Sequence, residues 1–519
     1  MENMAEQIVQ RFKASPEEDL HRLMNALLSE AMQQYISRAT MPHEDGSLPT
    51  PTRQNLQRFS ENLHRSPLRT SFEEDFIKSD ISLRECVQRL QQWRDRYETA
   101  IDRRPTRYPL EHCSHYLVEF QHLKFDEVEV PGQYLGHEDN NSDFTKIARF
   151  SNTFEVTRSS GSCTRRLSML SNKGIMCSFS VQLNTPRHCR REERTMQLLR
   201  CLNSVLERRI ETRKRGLAFT LPAAIPLATH ARLVESDASF VSLHEIYEEH
   251  CREVGMGKDD PMMLWVEKMK STWDPTQGLV ELANLRMDLL DEISTKMVPE
   301  TVLSTFMARS MATPEDLWLM RKHFTLQTAA TMFITYVFFI SSRTPGRIHI
   351  SRSKGSVTMS DLLPSFNPQM PQFKSPDATP FRLSPNMQHF IGPVGVEGVL
   401  TASLMAIGKA FAEPEGKFED LLSIFVKDDL PRDAPLALVQ RTTKELVKRA
   451  QLLSGNGLAS PDNGSGGSNN GSGGGGSSGG SNTPSGTTNL AVQVVLDLLN
   501  SSSNPSKLAL QDPYWQPWL

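Results

Sequence analysis

Ahead of position 40, Leu20, Leu23, Leu27 and Leu28 recur at helical spacing. Ser15-Pro16-Glu17-Glu18 precedes them: a hydroxyl cap, a proline in the first turn and acids beside exposed backbone N–H groups. Residues 1–40 are therefore predicted helical. His43–Arg69 is polar and contains prolines, which predicts a loop. Ser71–Arg104 is predicted helical again, with Leu83, Cys86, Val87, Leu90 and Trp93 on one face, a stripe that core packing explains.

The period shortens near Arg107. Glu127–Leu135, Lys146–Phe150, Thr153–Arg158, Arg165–Leu170 and Ile175–Leu183 are short, rich in strand formers and punctuated by SSGSC and SNKG turns. They predict a small antiparallel sheet. An amphipathic helix follows, with Met196, Leu199, Leu202, Val205, Leu206 and Ile210 on one face. From Leu243 to about Leu453 the pattern is mostly helical: Leu243–Val254, Pro261–Lys270, Gly278–Lys296, Pro314–Phe339, Val399–Phe411, Lys417–Val426 and Leu436–Leu453. All 20 residues of Asn463–Asn482 are Gly, Ser or Asn, too little apolar surface to fold. Leu490–Leu499 is a short apolar helix. Two tryptophans and a tyrosine then crowd Gln511–Leu519, and their cost in water predicts that this tail packs back on the large α-rich lobe.

Composition narrows the classes. Hydrophobic residues are 38% of the 519 and charged residues 23%, enough apolar material for several cores. A net charge of -3 gives no field to hold nucleic acid or an anionic membrane. The basic clusters Arg187–Arg194 and Arg208–Arg215 are interleaved with Glu and read as solvated helix faces, with a nucleic-acid or nuclear-import patch as the alternative. Seven scattered cysteines without a Cys-x-x-Cys pair fit reduced thiols. His188-Cys189 with Cys201 makes a poor zinc site, because no second close ligand pair appears. No signal-peptide core stands at Met1–Lys13. The longest apolar run, Ala329–Ile340, has 12 residues where a bilayer needs about 20.

A β-rich lobe, an α-rich lobe and a short Trp-ending helical piece together resemble the head of a phosphatidylinositol 3-kinase-related kinase. Arg191–Asn203 (REERTMQLLRCLN) resembles the family's RQDER-V-M-Q-L helix, the counterpart of the kinase αC helix. Ser341–Arg347 (SSRTPGR) stands where the family has GDRHPSN, and Pro380–Leu400 opens on PFRLSPNM, similar to its PFRLTxNM segment. EVEVPGQYL, KIARF, Ala231–Cys251, Gly392–Pro414 and the final PYWQPWL resemble the family's pseudokinase branch. The resemblance implies an α+β, bilobal, protein-kinase-like fold of the PI3/PI4-kinase type. It would comprise the end of a FAT helical region with FRB-like helices (1–106), an N-lobe (107–230), a C-lobe (231–455), a disordered Gly/Ser/Asn linker (456–488) and a FATC segment (489–519). Family members are far longer, so the chain is expected to be a C-terminal fragment or a partial gene product.

Phosphoryl transfer needs a Lys on the phosphates, an Asp for the hydroxyl proton, and Asp and Asn for Mg²⁺. Aligned on Arg343 and Pro345, the loop Asp position holds Ser342, the His position Thr344 and the metal-ligand Asn position Arg347. No Asp-Phe-Gly exists, and Gly355–Phe366 offers only Asp361. No Lys occurs between Lys173 and Lys214, and Gln182 or Asn184 sits where the phosphate Lys belongs. Ser159–Ser162 is only a polar turn. A fixed cation at a metal position repels Mg²⁺, and Ser is a weak base. The residues thus predict a kinase fold without kinase chemistry, with no catalytic residues, cofactor or metal. The resemblance implies a nuclear co-activator subunit that carries histone acetyltransferase modules to chromatin. Its partners would be subunits of those complexes and transcription activators, with no sequence-specific nucleic acid and no membrane. The alternatives are an active atypical kinase, and nucleotide binding without turnover.

Overall fold

The computed structural model describes all residues except 1, 40–47, 65, 122–126, 134–143, 160–161, 275–277, 365, 367–376, 393–394, 413–417, 432 and 455–484. The Gly/Ser/Asn tract, Ser160-Gly161 of the polar turn and the end of Glu127–Leu135 lie outside the described residues.

Five helices come first: Glu2–Arg11, Pro16–Ser37, Thr50–Asn62, Ser66–Phe76 and Leu83–Asp102. Ser15 and Glu18 form the capping box that the start signal predicts. Two expectations need correction. Much of the expected loop over His43–Arg69 is helix, because Leu56 and Phe59 find buried partners that the local polarity does not disclose. Its Pro51 lies in the first turn, where a missing N–H costs little. The expected single helix over Ser71–Arg104 is two, since Ser82 and Glu85 form a second capping box that restarts the chain. Phe72 packs at a tilt on Phe59 and meets Trp93 edge-on at 5.3 Å, which closes this helical layer.

The seven-stranded antiparallel sheet uses β1 (Arg107–Pro109), β2 (Ile147–Phe150), β3 (Thr153–Ser159), β4 (Ser162–Ser171), β5 (Met176–Leu183), β6 (Ala224–Ala228) and β7 (Ala231–Glu235). The order is β1-β3-β4-β5-β7-β6, with β2 also on β4. Of Glu127–Leu135, only a bridge from Glu129 to Lys146 forms among the described residues. One sheet face buries Leu167, Met169, Phe179 and Leu233 against Met4, Ile8 and Phe12 of the first helix and its end. The opposite face receives the helix Pro186–Arg208, whose Met196, Leu199, Leu202 and Leu206 are buried.

The larger lobe joins β8 (Phe240–Ser242), β9 (Ile348–Ser351) and β10 (Val357–Met359), in the order β10-β9-β8, to a set of helices at the predicted places. The 18 residues Gly395–Ala412 are apolar and long enough to cross a membrane, yet 56% of them are buried in the fold. A Cβ on Gly408 would stand 2.6 Å from the Leu453 carbonyl carbon, so only glycine lets these helices touch. The cluster Arg187–Arg194 is not simply solvated. Arg191 Nε lies 2.7 Å from Asp429 Oδ1, and Arg190 and Arg194 reach Asp428, clamping the small-lobe helix to the large lobe. Arg208, Arg213, Lys214 and Arg215 are exposed, as expected.

The C-terminal tail and the end of the N-terminal helical layer are both tied to this lobe. The C-terminal tail is buried there as predicted: Trp518 is 1% exposed and Leu519 fully covered. Arg382 donates to the carbonyls of Trp515 and Gln516, each at 2.7 Å, and to that of Leu519, while its guanidinium lies 4.1 Å from the Trp515 ring centroid. Asn386 donates to the Trp518 carbonyl at 3.0 Å. Burial drives the Arg382 pKa down to about 9, with the Asp377 charge opposing it. At the other end, Lys258 holds Glu98 at 2.7 Å and Arg94 pairs with Asp259, fixing Leu83–Asp102 to the large lobe.

Two outcomes follow from these ties. Burial alone would raise the Glu98 carboxyl, but its hydrogen bond to His21 and the Lys258 charge hold it at about 2. A carboxyl lowered on folding stabilises above its unfolded pKa, and that stability is lost as pH falls from about 4.5 towards 2. Glu98→Gln is expected to cost about 2 kcal/mol at pH 7, with the difference from the parent chain shrinking across that acid window in denaturant titrations. Trp518→Ala should cost about 3–5 kcal/mol by cavity formation, read as a lower urea midpoint at unchanged slope.

Candidate functional site

Between the sheet and the large lobe lie two cavities of about 730 and 1030 Å³. Thr164, Gly346 and His349 line both, so the two chambers adjoin. The five positions singled out in the sequence divide between them. Gln182 and Asn184, at the end of β5, face the smaller chamber, while Ser342, Thr344 and Arg347 face the larger.

In the smaller chamber the inner cation comes from a neighbouring strand. Arg232 sits on β7 opposite Gln182 of β5. Its Nε and Nη2 donate to Gln182 Oε1 at 3.1 and 2.9 Å. The same Nη2 forms an ion pair with Glu192 Oε2 of the helix Pro186–Arg208, and both side chains are 3% exposed. Glu192 Oε1 accepts the backbone N–H of Leu362 at 3.3 Å. One carboxylate therefore joins the sheet, the helix and the segment after β10. Active kinases place a lysine–glutamate pair between strand and αC helix; here a guanidinium from β7 meets the helix carboxylate.

In the larger chamber the loop Ser341–Arg347 is held by its own backbone and by Arg343. That side chain, 3% exposed, donates to the carbonyls of Ser341, Ser360 and Asp361 at 3.1, 2.9 and 3.0 Å. Burial lowers its pKa to about 10. Ser342 has a left-handed φ of 56°, uncommon for a residue with a Cβ. Its N–H donates to Asp377 Oδ2 at 2.9 Å, and its carbonyl accepts from Arg347 Nη1 at 3.0 Å. Thr344 precedes the 3-10 turn Pro345–Arg347. Arg347 Nε lies 2.9 Å from Asp361 Oδ2, so the one carboxylate of Gly355–Phe366 is already paired. His349 lines both chambers, and its partial burial pushes its pKa down.

Sequence reasoning missed Arg232, although an arginine within the apolar strand ARLVE is the available signal: a charge there needs a buried partner. Asp377 and His349 carry no comparable signal, since tertiary folding alone brings them to the loop.

Residues 178–432 match the family Phosphatidylinositol 3- and 4-kinase. The solved FAT and kinase domain of CtTel1 superposes with a TM-score of 0.57 over 97% of this chain and 34% of that one, at 16% identity, which supports the fold alone. The fold class is thus an α+β bilobal kinase-like head of the PI3/PI4-kinase type, preceded by FAT-type helices. Over 100% of its length the chain is 33% identical to the SAGA complex/NuA4 acetyltransferase complex subunit TRA1 of Saccharomyces cerevisiae, covering 14% of that protein. It is 29% identical to the transformation/transcription domain-associated protein of Homo sapiens over 70% of this chain and 9% of that one. The chain belongs to this Tra-type branch of the phosphatidylinositol 3-kinase-related family, matching the C-terminal part of its members.

The buried pair sets an energetic expectation. Arg232→Met or Glu192→Leu leaves a buried charge without its partner, at a cost of about 3–5 kcal/mol. Arg232→Met/Glu192→Leu is expected to lose clearly less than the sum of the two single replacements, measured as a double-mutant cycle in denaturant.

Proposed function

We propose that the chain is the catalytically inactive kinase-like head of a scaffold subunit of histone acetyltransferase co-activator complexes. It acts in the nucleus, on transcription and chromatin, through contacts with complex subunits and activators. The relatives are acetyltransferase-complex subunits by name, and this chain spans 14% of their length. The observation that carries the reading is the self-pairing of the cleft. Among the described residues, Arg232 is locked to Glu192 and Gln182 where a phosphate lysine would stand, and Arg347 holds Asp361. Ser342 supplies neither a base nor a metal ligand, and Gln182, Asn184, Thr344 and Arg347 replace the remaining chemistry.

Mg²⁺-ATP is the direct probe. A ligand at 100 times its dissociation constant adds about 2.7 kcal/mol to stability. Thermal unfolding of the full chain should be unmoved by millimolar Mg²⁺-ATP, and no phosphate should transfer to protein or lipid substrates. A clear upward shift, or transfer abolished by Asp361→Asn, would overturn the reading.

A further inference from the structure

His188 and Glu192 stand four residues apart on the helix Pro186–Arg208, which puts both on one face. Asp361, on the segment after β10, approaches that face from the large lobe. His188 Nε2 lies 3.2 Å from Asp361 Oδ1 and 3.7 Å from Glu192 Oε2, and all three ligand atoms are within 4.8 Å of one another. Ligands of a tetrahedral Zn²⁺ at its usual bond lengths stand about 3.3 Å apart, so this set needs little rearrangement. One further observation points to a ligand: His188 Nε2 is shielded from solvent and, although close to both carboxylates, makes no aligned hydrogen bond to either.

We infer that His188, Glu192 and Asp361 form a three-ligand site for a transition-metal dication, zinc above all, bridging the small-lobe helix and the large lobe. The surrounding charges choose the ion. Arg232 neutralises Glu192, and Arg347 takes the other oxygen of Asp361. With the cluster close to neutral overall, a hard ion such as Mg²⁺, which depends on oxygen ligands and net negative charge, gains little. Zinc gains from the imidazole nitrogen. Arg347 holds Asp361 through the oxygen turned away from His188, as outer partners commonly do for metal ligands, whereas Arg232 shares Glu192 Oε2 itself, and the ion would take that oxygen's second lone pair. The fourth position faces the smaller chamber, which Glu192 and Asp361 line. This ligand set differs from the Asp and Asn that hold Mg²⁺ in active kinases, and it joins the lobes rather than supporting transfer.

The test uses the full chain, stripped with a chelator and then given Zn²⁺ alone. One equivalent should survive dialysis, and the unfolding temperature should rise by several degrees. Mg²⁺ should produce no rise. His188→Gln and Asp361→Asn should each weaken Zn²⁺ binding at least tenfold, whereas Cys189→Ser and Cys201→Ser should leave it unchanged. Co²⁺ in place of Zn²⁺ gives a readout independent of the variants' folding: visible d–d bands without thiolate charge transfer are expected. A chain that dialyses free of zinc overturns the site. So does a His188→Gln chain that keeps its equivalent, or a thiolate band, which would place the ion on cysteines.

Discussion

The buried carboxylate of Glu192 organises the cleft. Two cations on opposite walls would repel, and a lone buried charge of either sign would cost several kcal/mol. By meeting Arg232 of β7 and the Leu362 N–H, Glu192 fixes the helix Pro186–Arg208 at one angle to both lobes. The positions of β5, the loop after β10 and the chamber between them follow from that angle. The arginines just before Glu192 on the helix repeat the restraint at Asp428 and Asp429. Kinases use hinge motion between lobes to admit nucleotide and expel product; here the helix is pinned at both of its faces by ionic contacts.

A second set of restraints closes the large lobe around the loop Ser341–Arg347. Arg343 and Arg382 are buried cations whose donors are spent mostly on backbone carbonyls rather than on carboxylates. Carbonyl clusters hold a guanidinium in a fixed orientation, and the guanidinium in turn fixes two loops that have no regular structure of their own. Arg382 also donates to the Arg343 carbonyl at 3.2 Å, so the tail and the loop share one network. The FAT-type helices reach the same lobe through Lys258 and Asp259. Tyr514 completes the circuit by accepting a hydrogen bond from Ser29 at 2.7 Å. The result is a head whose loop is held as part of a framework.

Helices with a long apolar stripe were legible in the sequence, because period and caps are local properties. The helix at Leu83–Asp102 and the strands β3, β4 and β5 are of this kind. The helix Thr50–Asn62 was not, since four buried residues among polar neighbours make a weak stripe and its prolines read as breakers until they are seen in the first turn. The absence of a lysine, an Asp-Phe-Gly and a loop aspartate could be read from residue identity alone. The pairing of Arg232 with Gln182 could not, because the two lie 50 residues apart and meet only through strand pairing.

The sequence by itself determined the order of elements, the two-lobed α+β character and the lack of an Asp-Phe-Gly string, all of which rest on spacing within a few turns or on which side chains exist. Only the tertiary structure decided which charges meet. It placed Asp361 beside His188, 173 positions of chain away in a different lobe yet 3.2 Å apart in space. It also set Arg382 beneath the final residues. Such pairings are chosen by burial, where a charge must find a partner or go unsolvated, and no local pattern records the choice.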